Sequence, residues 1–260
     1  CQPGDCSNAA GTTEGITAIL KASDLSNENI SKYKISREPF ISKQIFNTVA
    51  WSNTSGVLLK WFAQEFNIFN NKSLLGVYKE LNKNLPEKPT KLLVLPHFSG
   101  AGTPYDDNCS KGAIIGLDLS TKPIEIYKAL MEGINYELAL IIETLKEAGI
   151  SFKKIVSTGG SLSEPLLQIK SDVLGEPIYT VHNHQTGTLG GAIIAACSIK
   201  DYDSISEAVS QMVKYDKIYY PINKNKNFYY NQFQIFKKIY PALREINNDL
   251  TENQFFYDEN

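Results

Sequence analysis

The chain has 260 residues, of which 42% are hydrophobic and 21% charged, a globular balance that can fill a sizeable core. Its net charge of −2 argues against nucleic acid or a membrane surface as a partner, because both usually select basic patches. No apolar stretch reaches transmembrane length. No pair of its four cysteines has C-x-x-C spacing, so we expect a reducing, cytoplasmic setting. The first residue is Cys1 rather than Met, and we expect the chain to be part of a longer protein.

Strand and helix signals alternate through the first half of the chain. β-Branched and aromatic residues favour strands, and residues typical of an N-cap precede a helical pattern. The predicted elements are two strands within 7–20, a polar loop over 24–36, a strand over 38–51, a helix that follows Gly56, a helix over 73–85, and strands at 91–96 and 111–117.

A long amphipathic helix is predicted at the start of the second half. Apolar residues recur every three or four positions over 123–147, Pro123 suits the first turn, and Gly149 suits the end. The elements predicted after it are a strand at 153–158, a helix near 163–174, a strand at 177–181, a small-residue helix over 188–198, helices over 203–214 and 228–246, and a frayed tail over 247–260. Alternating strands and helices without a linker predict a single α/β domain over residues 1–260.

Two glycine turns in the first half are candidates for a ligand site. Gly11-Thr12-Thr13 lies between two strands, where backbone N–H groups and hydroxyls are suited to phosphate oxygens, although an ordinary hairpin uses the same residues. Gly56 lies at a predicted helix start, where free N–H groups and the positive end of the helix dipole attract an anion. An ordinary capped helix is the alternative there.

The third glycine turn is Gly159-Gly160, which closes a predicted strand. Glycine lacks a Cβ atom, so a flat ring can approach the main chain closely. Ser161 and Glu164 have the S-x-x-E spacing of a capping box, which predicts that they cap the helix near 163–174.

Other functional motifs are absent or weak. The sequence lacks the glycine patterns of phosphate loops, dinucleotide-binding turns and nucleophile elbows. The histidines are His97, His182 and His184, and the last two resemble half of a metal site. Without a third ligand, we interpret 182–188 as a solvated loop and predict no metal site.

Two biased segments near the end of the chain are open to two interpretations each. The Lys/Asn-rich segment 222–227 is interpreted as a solvated loop rather than a phosphate-binding stripe. The aromatic residues of 215–240 are interpreted as a docking surface for the last helix rather than a platform for stacked bases.

The order of these motifs is more informative than any one of them. A Gly-Thr hairpin, a glycine at a helix start, the segment 99–117, a long helix, the double glycine and a small-residue helix follow one another. This order resembles the C-terminal domain of the FGGY carbohydrate kinases, the family of glycerol kinase, xylulokinase and gluconokinase, over residues 1 to about 246. The second signature of that family fits at Gly112, Ile114, Gly116, Leu117, Glu125, Ile126, Ala129, Leu130, Met131 and Glu132.

The resemblance implies an actin-like, ribonuclease-H-like ATPase fold, with a central mixed sheet flanked by helices. It also implies ATP with Mg²⁺ and in-line transfer of the γ-phosphate to a sugar or polyol hydroxyl. By motif, Gly11 and Thr12 would face the terminal phosphates, Gly56 would lie near them, Gly160 would underlie the adenosine and Glu164 would lie beside the base. The nucleotide-binding residues implied are Gly11, Thr12, Thr13, Gly56, Gly159, Gly160, Ser161 and Glu164.

The chain departs from the family pattern in two places. The aspartate that acts as catalytic base in these kinases is expected upstream of Cys1, because Gly4-Asp5 aligns better with the turn before the hairpin; Asp5 is the less favoured candidate. Gln185 stands where the family often has a glutamate. We therefore expect the fragment alone to be inactive, with the sugar bound by a missing N-terminal domain.

A non-catalytic nucleotide-binding scaffold or sensor domain of the same fold is the alternative function. The sequence leaves open which sugar is the substrate. It also leaves open the oligomeric state, with a homodimer among the options.

Overall fold

A computed structural model describes residues 3–40, 44–66, 72–183 and 185–258. The strands are β1 (Asp5–Ala10), β2 (Glu14–Lys21), β3 (Glu38–Pro39), β4 (Ile45–Ser52), β5 (Leu93–Leu95), β6 (Ala113–Ile115), β7 (Lys154–Thr158), β8 (Ile178–Val181) and β9 (Tyr215–Tyr219). The helices are α1 (Asn27–Tyr33), α2 (Gly56–Glu65), α3 (Leu74–Lys83), α4 (Pro123–Glu147), α5 (Glu164–Leu174), α6 (Thr186–Ser198), α7 (Ile205–Met212), α8 (Asn223–Phe236) and α9 (Ile239–Asp258).

One mixed sheet organises the molecule, with the strand order β3-β4-β2-β1-β7-β8-β9. β1 pairs antiparallel with β2 and parallel with β7, and β7 pairs parallel with β8. β5 and β6 form a separate antiparallel pair. The carboxyl ends of β1 and β7 lie side by side, with Ala9 opposite Thr158. This end of a parallel strand pair is where α/β sheets commonly bind ligands.

Helix α4 is the centre of the hydrophobic core. Its second half shares a cluster with the sheet, in which Leu138 and Leu145 lie with Ile16. Its first half shares a second cluster with α2 and α3. The prediction for this helix is confirmed at both ends, since Pro123 is its first residue and Gly149 follows its last turn with a φ of +98°.

The aromatic segment near the end of the chain packs α8 against α4. The ring centroids of Tyr229 and Phe236 lie 6.2 and 5.5 Å from that of Tyr136. Ile239 and Tyr240 of α9 belong to the same buried cluster. Within 215–240, the aromatic residues of α8 therefore dock against α4 and α9, as predicted, whereas Tyr215 and Tyr220 are exposed.

The polar segment 24–36 differs from its prediction as a loop. It contains α1, and the Ser26 hydroxyl caps this helix by accepting a hydrogen bond from the Asn29 N–H at 3.1 Å. The Lys/Asn-rich segment 222–227 is not a solvated loop either, because α8 begins at Asn223. A buried contact explains the second difference, since Asn225 Nδ2 donates to Asp172 Oδ2 at 2.8 Å.

Two further differences from the predictions lie near the end of the chain. Tyr215–Tyr219 forms the edge strand β9 beside β8, where we had predicted only a docking surface. Helix α9 continues to Asp258, beyond residue 246, where the predicted helix ends. None of the helices among the described residues has both the length and the apolar composition that a membrane span requires.

Candidate functional site

The three glycine turns that stand out in the sequence come together at the carboxyl ends of β1 and β7. The Gly56 N–H donates to the Gly11 carbonyl at 2.9 Å, which joins the hairpin to the start of α2. On the other side, the Ser161 N–H donates to the Ala10 carbonyl at 3.2 Å. These bonds make one continuous backbone surface from three separate turns.

The start of α2 differs from the free anion site that the sequence predicted. The N–H groups of Ser55 and Val57 both donate to the Thr12 carbonyl, at 3.0 and 3.3 Å. Because these amides and that of Gly56 already have acceptors, the helix start fixes the hairpin instead of attracting an anion. Gly56 is required by packing, since a Cβ atom there would lie 2.5 Å from the Cβ atom of Ser161.

Gly159 and Gly160 have different structural roles. Gly159 has a φ of +114°, and a Cβ atom there would lie 2.1 Å from the Ala10 carbonyl oxygen. Gly160 lies outside the left-handed region, and a Cβ atom there would meet nothing within 4 Å. Gly159 therefore lets two strand ends approach, whereas Gly160 leaves its face open.

An open cavity of about 620 Å³ lies against these turns, within the size range of small-molecule sites. Its inner wall consists of Gly11, Thr12, Gly56 and the turn that begins at Gly160. The other lining residues are Val57, Leu59, Lys60, Leu75, Tyr78, Lys79, Asn82, Tyr127, Ser161, Leu162 and Ser163.

The outer wall of the cavity comes from α3 and was not predicted. Its residues Leu75, Tyr78, Lys79 and Asn82 line the cavity and recur at helical spacing, so they share one face. The Tyr127 hydroxyl of α4 contacts Asn82 Oδ1 at 3.5 Å. Burial raises the pKa of both Tyr78 and Tyr127, so both hydroxyls are neutral at physiological pH. The one sequence signal that could have predicted the α3 wall of the cavity is this helical spacing.

Two exposed lysines give the cavity a positive character. Lys60 lies one turn beyond Gly56 on α2, and Lys79 faces the cavity from α3. Thr12 places a hydroxyl-bearing, exposed side chain on the inner wall. Ammonium groups, a hydroxyl and bare backbone are suited to a phosphorylated ligand.

The capping box predicted for α5 is wrong. The N-cap is Ser163, whose hydroxyl accepts a hydrogen bond from the Leu166 N–H. Ser161 Oγ is buried and has no hydrogen-bond partner among the described residues. Glu164 forms an ion pair with Lys217, whose hydrogen bond holds the pKa of the carboxyl below its usual range.

The remaining predicted residues lie outside the cavity lining. Thr13 is exposed at the tip of the hairpin, and Gly159 packs against Ala10. Asp5 begins β1, whereas the hairpin follows Ala10, so Asp5 lies about 17 Å along the strand from the cavity. This distance argues against Asp5 as a base for chemistry in the cavity.

The histidines do not form a metal site among the described residues, where no group of three or more His, Cys, Asp and Glu is placed to hold an ion. His97 is buried, and its ring lies between Ser110 Oγ at 2.7 Å and Glu137 Oε1 at 3.2 Å. His182 is exposed, and His184 lies outside the described residues.

Curated proteins with assigned functions are similar in sequence to this chain. The chain is 28% identical over 239 residues to the xylulose kinase of Bacillus subtilis (strain 168), a match that covers 91% of this chain and 47% of the relative. It is 33% identical over 164 residues to the ribulokinase of Bacillus licheniformis, covering 60% of this chain and 30% of the relative. The chain therefore spans about half the length, or less, of the curated relatives that it matches.

Solved structures share the fold. Ligand-bound xylulose kinase from Lactobacillus acidophilus superimposes with a TM-score of 0.81 at 23% identity, over 95% of this chain and 49% of that one. Plasmodium falciparum glycerol kinase with ADP superimposes with a TM-score of 0.71 at 20% identity, over 89% of this chain and 46% of that one. The mixed sheet thus has the actin-like ATPase fold of these kinases. Residues 7–199 match the C-terminal domain of the FGGY family of carbohydrate kinases, so the chain belongs to that family.

Proposed function

We propose that this chain is the nucleotide-binding half of a sugar or polyol kinase, which transfers the γ-phosphate of ATP to a carbohydrate hydroxyl. The observation that carries the proposal is the cavity itself, where three turns with little or no side chain meet two lysines. Membership of a carbohydrate kinase family and the ADP named for the glycerol kinase structure support the same ligand class.

The cavity favours one orientation of the nucleotide. Gly11, Thr12 and Lys60 form the end suited to the phosphates, because they combine bare backbone, a hydroxyl and a cation. The open face of Gly160 suits the flat adenosine. Tyr78 and Asn82 on the opposite wall supply an aromatic ring and an amide that can recognise a base edge.

The described carboxylates leave the cavity without an evident general base. Glu14 is paired with Lys170, Glu164 with Lys217, and Asp5 lies at the far end of its strand. We therefore propose that the base lies upstream of Cys1, that a separate N-terminal domain supplies the sugar site, and that the 260-residue chain alone transfers no phosphate. Magnesium would enter with the phosphates of ATP, since it usually keeps several waters and few protein ligands.

Titration of the purified chain with ATP tests the proposal, with Gly160→Leu as the decisive variant. The leucine fits the fold, because nothing lies within 4 Å of its Cβ position, yet it occupies the space assigned to adenosine. We expect the affinity for ATP to fall by more than about tenfold, a loss of at least 1.4 kcal/mol. Gly187→Leu is the matched control, because its Cβ position is equally open and lies on α6, which contributes no residue to the cavity lining.

Equal ATP affinity in the two leucine variants would contradict the placement of the base. No binding of ATP by the unmodified chain would contradict the proposed site altogether.

The alternative, a non-catalytic nucleotide-binding scaffold or sensor, is favoured by the same lack of a carboxylate at the cavity among the described residues. A phosphorylation assay on the full-length protein with a panel of sugars and polyols separates the two. Turnover supports the kinase, whereas ATP binding without turnover on any acceptor supports the scaffold. Turnover by the 260-residue chain itself would show that its base lies within the chain, against our proposal.

A further inference from the structure

A buried polar cluster lies directly beneath the three glycine turns and is not part of the cavity lining. It consists of five residues, four in strands or helices and one directly before a helix. They are Asn8 of β1, Glu14 of β2, Ser55 before α2, Ser157 of β7 and Lys170 of α5. None of these residues is more than 1% exposed. We call this set the floor cluster.

A charged pair forms the middle of the floor cluster. The Lys170 ammonium donates to Glu14 Oε1 and to Asn8 Oδ1, both at 2.5 Å. Asn8 Nδ2 also donates to Glu14 Oε1 at 2.9 Å. Ser157 Oγ completes this side of the cluster by donating to Asn8 Oδ1 at 2.8 Å. The ion pair is therefore surrounded by partners that satisfy it in the absence of water.

One hydrogen bond extends the floor cluster to the start of α2. Ser55 Oγ donates to Glu14 Oε2 at 3.0 Å. The backbone N–H of the same serine donates to the Thr12 carbonyl at 3.0 Å. Side chain and backbone of Ser55 therefore fix the helix start to two points of the hairpin.

The position of each member relates the floor cluster to the cavity. Glu14 directly follows the Gly-Thr hairpin, Ser55 directly precedes Gly56, and Ser157 lies two residues before Gly159. Lys170 lies on α5, the helix that the Gly160 turn leads into. The cluster thus joins the chain segments from which all three turns project.

Stability alone is a weak reason for such a cluster. Replacing a buried ion pair with apolar side chains of similar size is often neutral or stabilising, because removing charges from water is costly. The pair does impose geometry, since charge-assisted hydrogen bonds are short and directional. A site that must hold phosphates benefits from fixed distances between its backbone walls.

We infer that Glu14 and Lys170 are positioning residues for the phosphate end of the nucleotide site, with Ser55 as their link to α2. This inference rests on the proposed nucleotide-binding function. Glu14 and Lys170 do not touch the ligand; they set the separation between the hairpin and the start of α2. Loosening them weakens contacts to phosphates more than contacts to adenosine, because the bonds of Ser55 to Glu14 and Thr12 directly fix the hairpin and the start of α2, whereas the α3 face makes no bond to the cluster.

The test compares the binding of ATP and adenosine by calorimetric titration of the 260-residue chain at pH 7.5. Ser55→Ala removes the link to α2, and the double variant Glu14→Gln/Lys170→Met removes both charges without leaving one unpaired. We expect each to raise the Kd of ATP about five- to tenfold, the worth of one or two hydrogen bonds, and that of adenosine less than about twofold. Glu137→Gln is the matched control, because it neutralises a fully buried carboxylate that neither lines the cavity nor supports its walls, and it should leave both constants unchanged.

Each outcome decides a separate question. If the unmodified chain binds ATP and the cluster variants keep the same ratio of ATP to adenosine affinity, the inference is overturned and the nucleotide site stands. If the unmodified chain binds neither ligand, the proposed function fails and the inference fails with it. Thermal unfolding of each variant identifies any that does not fold, and Ser55→Ala, which removes one hydroxyl, then provides the measurement.

Discussion

The two walls of the cavity are built in different ways. The inner wall is backbone packed on backbone, where Gly56 in the wall and Gly159 directly before it in the chain leave no room for a methyl group. The outer wall is one face of α3, where side chains such as Tyr78 and Asn82 reach the cavity. The difference indicates that the inner wall is fixed by sterics and tolerates no substitution at those two glycines, whereas the outer wall is free to change its chemistry.

Different buried groups hold the two walls in place. The floor cluster with its ion pair lies under the inner wall. The chain that follows α3 is fastened by Glu132 of α4, which accepts hydrogen bonds from the Thr90 N–H and from the Tyr229 hydroxyl, each at 3.1 Å. Burial raises the pKa of Glu132 from its ordinary value of 4.5 to about 7, although the hydrogen bonds from Thr90 oppose the shift.

The largest effect is expected from Gly159→Ala, directly before the part of the inner wall that begins at Gly160. The new methyl group would lie 2.1 Å from the Ala10 carbonyl oxygen, on a backbone with a φ of +114°. We expect the free energy of unfolding to fall by about 4 kcal/mol or more, measured by urea denaturation. Gly160→Ala is the control and should change stability by less than about 1 kcal/mol, because its Cβ position is open. Similar losses in the two variants would remove the distinction between the adjacent glycines.

The second effect is a pH dependence of the free energy of unfolding, caused by Glu132, which supports the outer wall. Because the folded state raises the pKa of Glu132, it binds this proton more tightly than the unfolded chain does. The stabilisation by the neutral carboxyl is complete below about pH 4.5 and is lost as the pH rises through about 7, a change of about 3 kcal/mol.

Glu132→Gln isolates this contribution, since glutamine carries no charge at any pH. The unfolding free energy of the unmodified chain relative to the variant should fall as the pH rises from 5 to 8. Parallel stability curves over that range would show that Glu132 is not the group responsible.

The smallest effect is expected from Asn82→Ala on the outer wall itself. Loss of one amide at the proposed base end should raise the Kd of ATP about fivefold, close to the worth of one hydrogen bond, with little change in stability. Asn84→Ala on the same helix end is the control, because Asn84 is exposed and does not line the cavity. A larger effect from Asn84 than from Asn82 would place the base elsewhere.

Local sequence signals were sufficient to predict the hairpin of the inner wall and the central helix α4. A Gly-Thr turn between two apolar segments predicts a hairpin, and the stripe over 123–147 predicts α4, because both depend on neighbours in the chain. Their assembly into one site followed from motif order and family resemblance rather than from any single residue.

Contacts between distant segments account for what the sequence did not predict. Glu14 and Lys170 are separated by 156 positions, and nothing local marks them as partners. The same reason explains Asn225, whose polar surroundings in the sequence predicted a solvated loop, while its side chain is buried against Asp172. The sequence also could not predict that the backbone N–H groups at the start of α2 are already hydrogen-bonded, because their acceptors belong to the distant hairpin.

Because nothing lies within 4 Å of the Cβ position of Gly160, side chains of increasing size can be introduced there. A graded series from alanine through valine to leucine would narrow the entrance stepwise without disturbing the scaffold. At the proposed nucleotide site, each step would exclude ATP more strongly and would admit only purine analogues made smaller to match, so a variant and a synthetic nucleotide could form a selective pair.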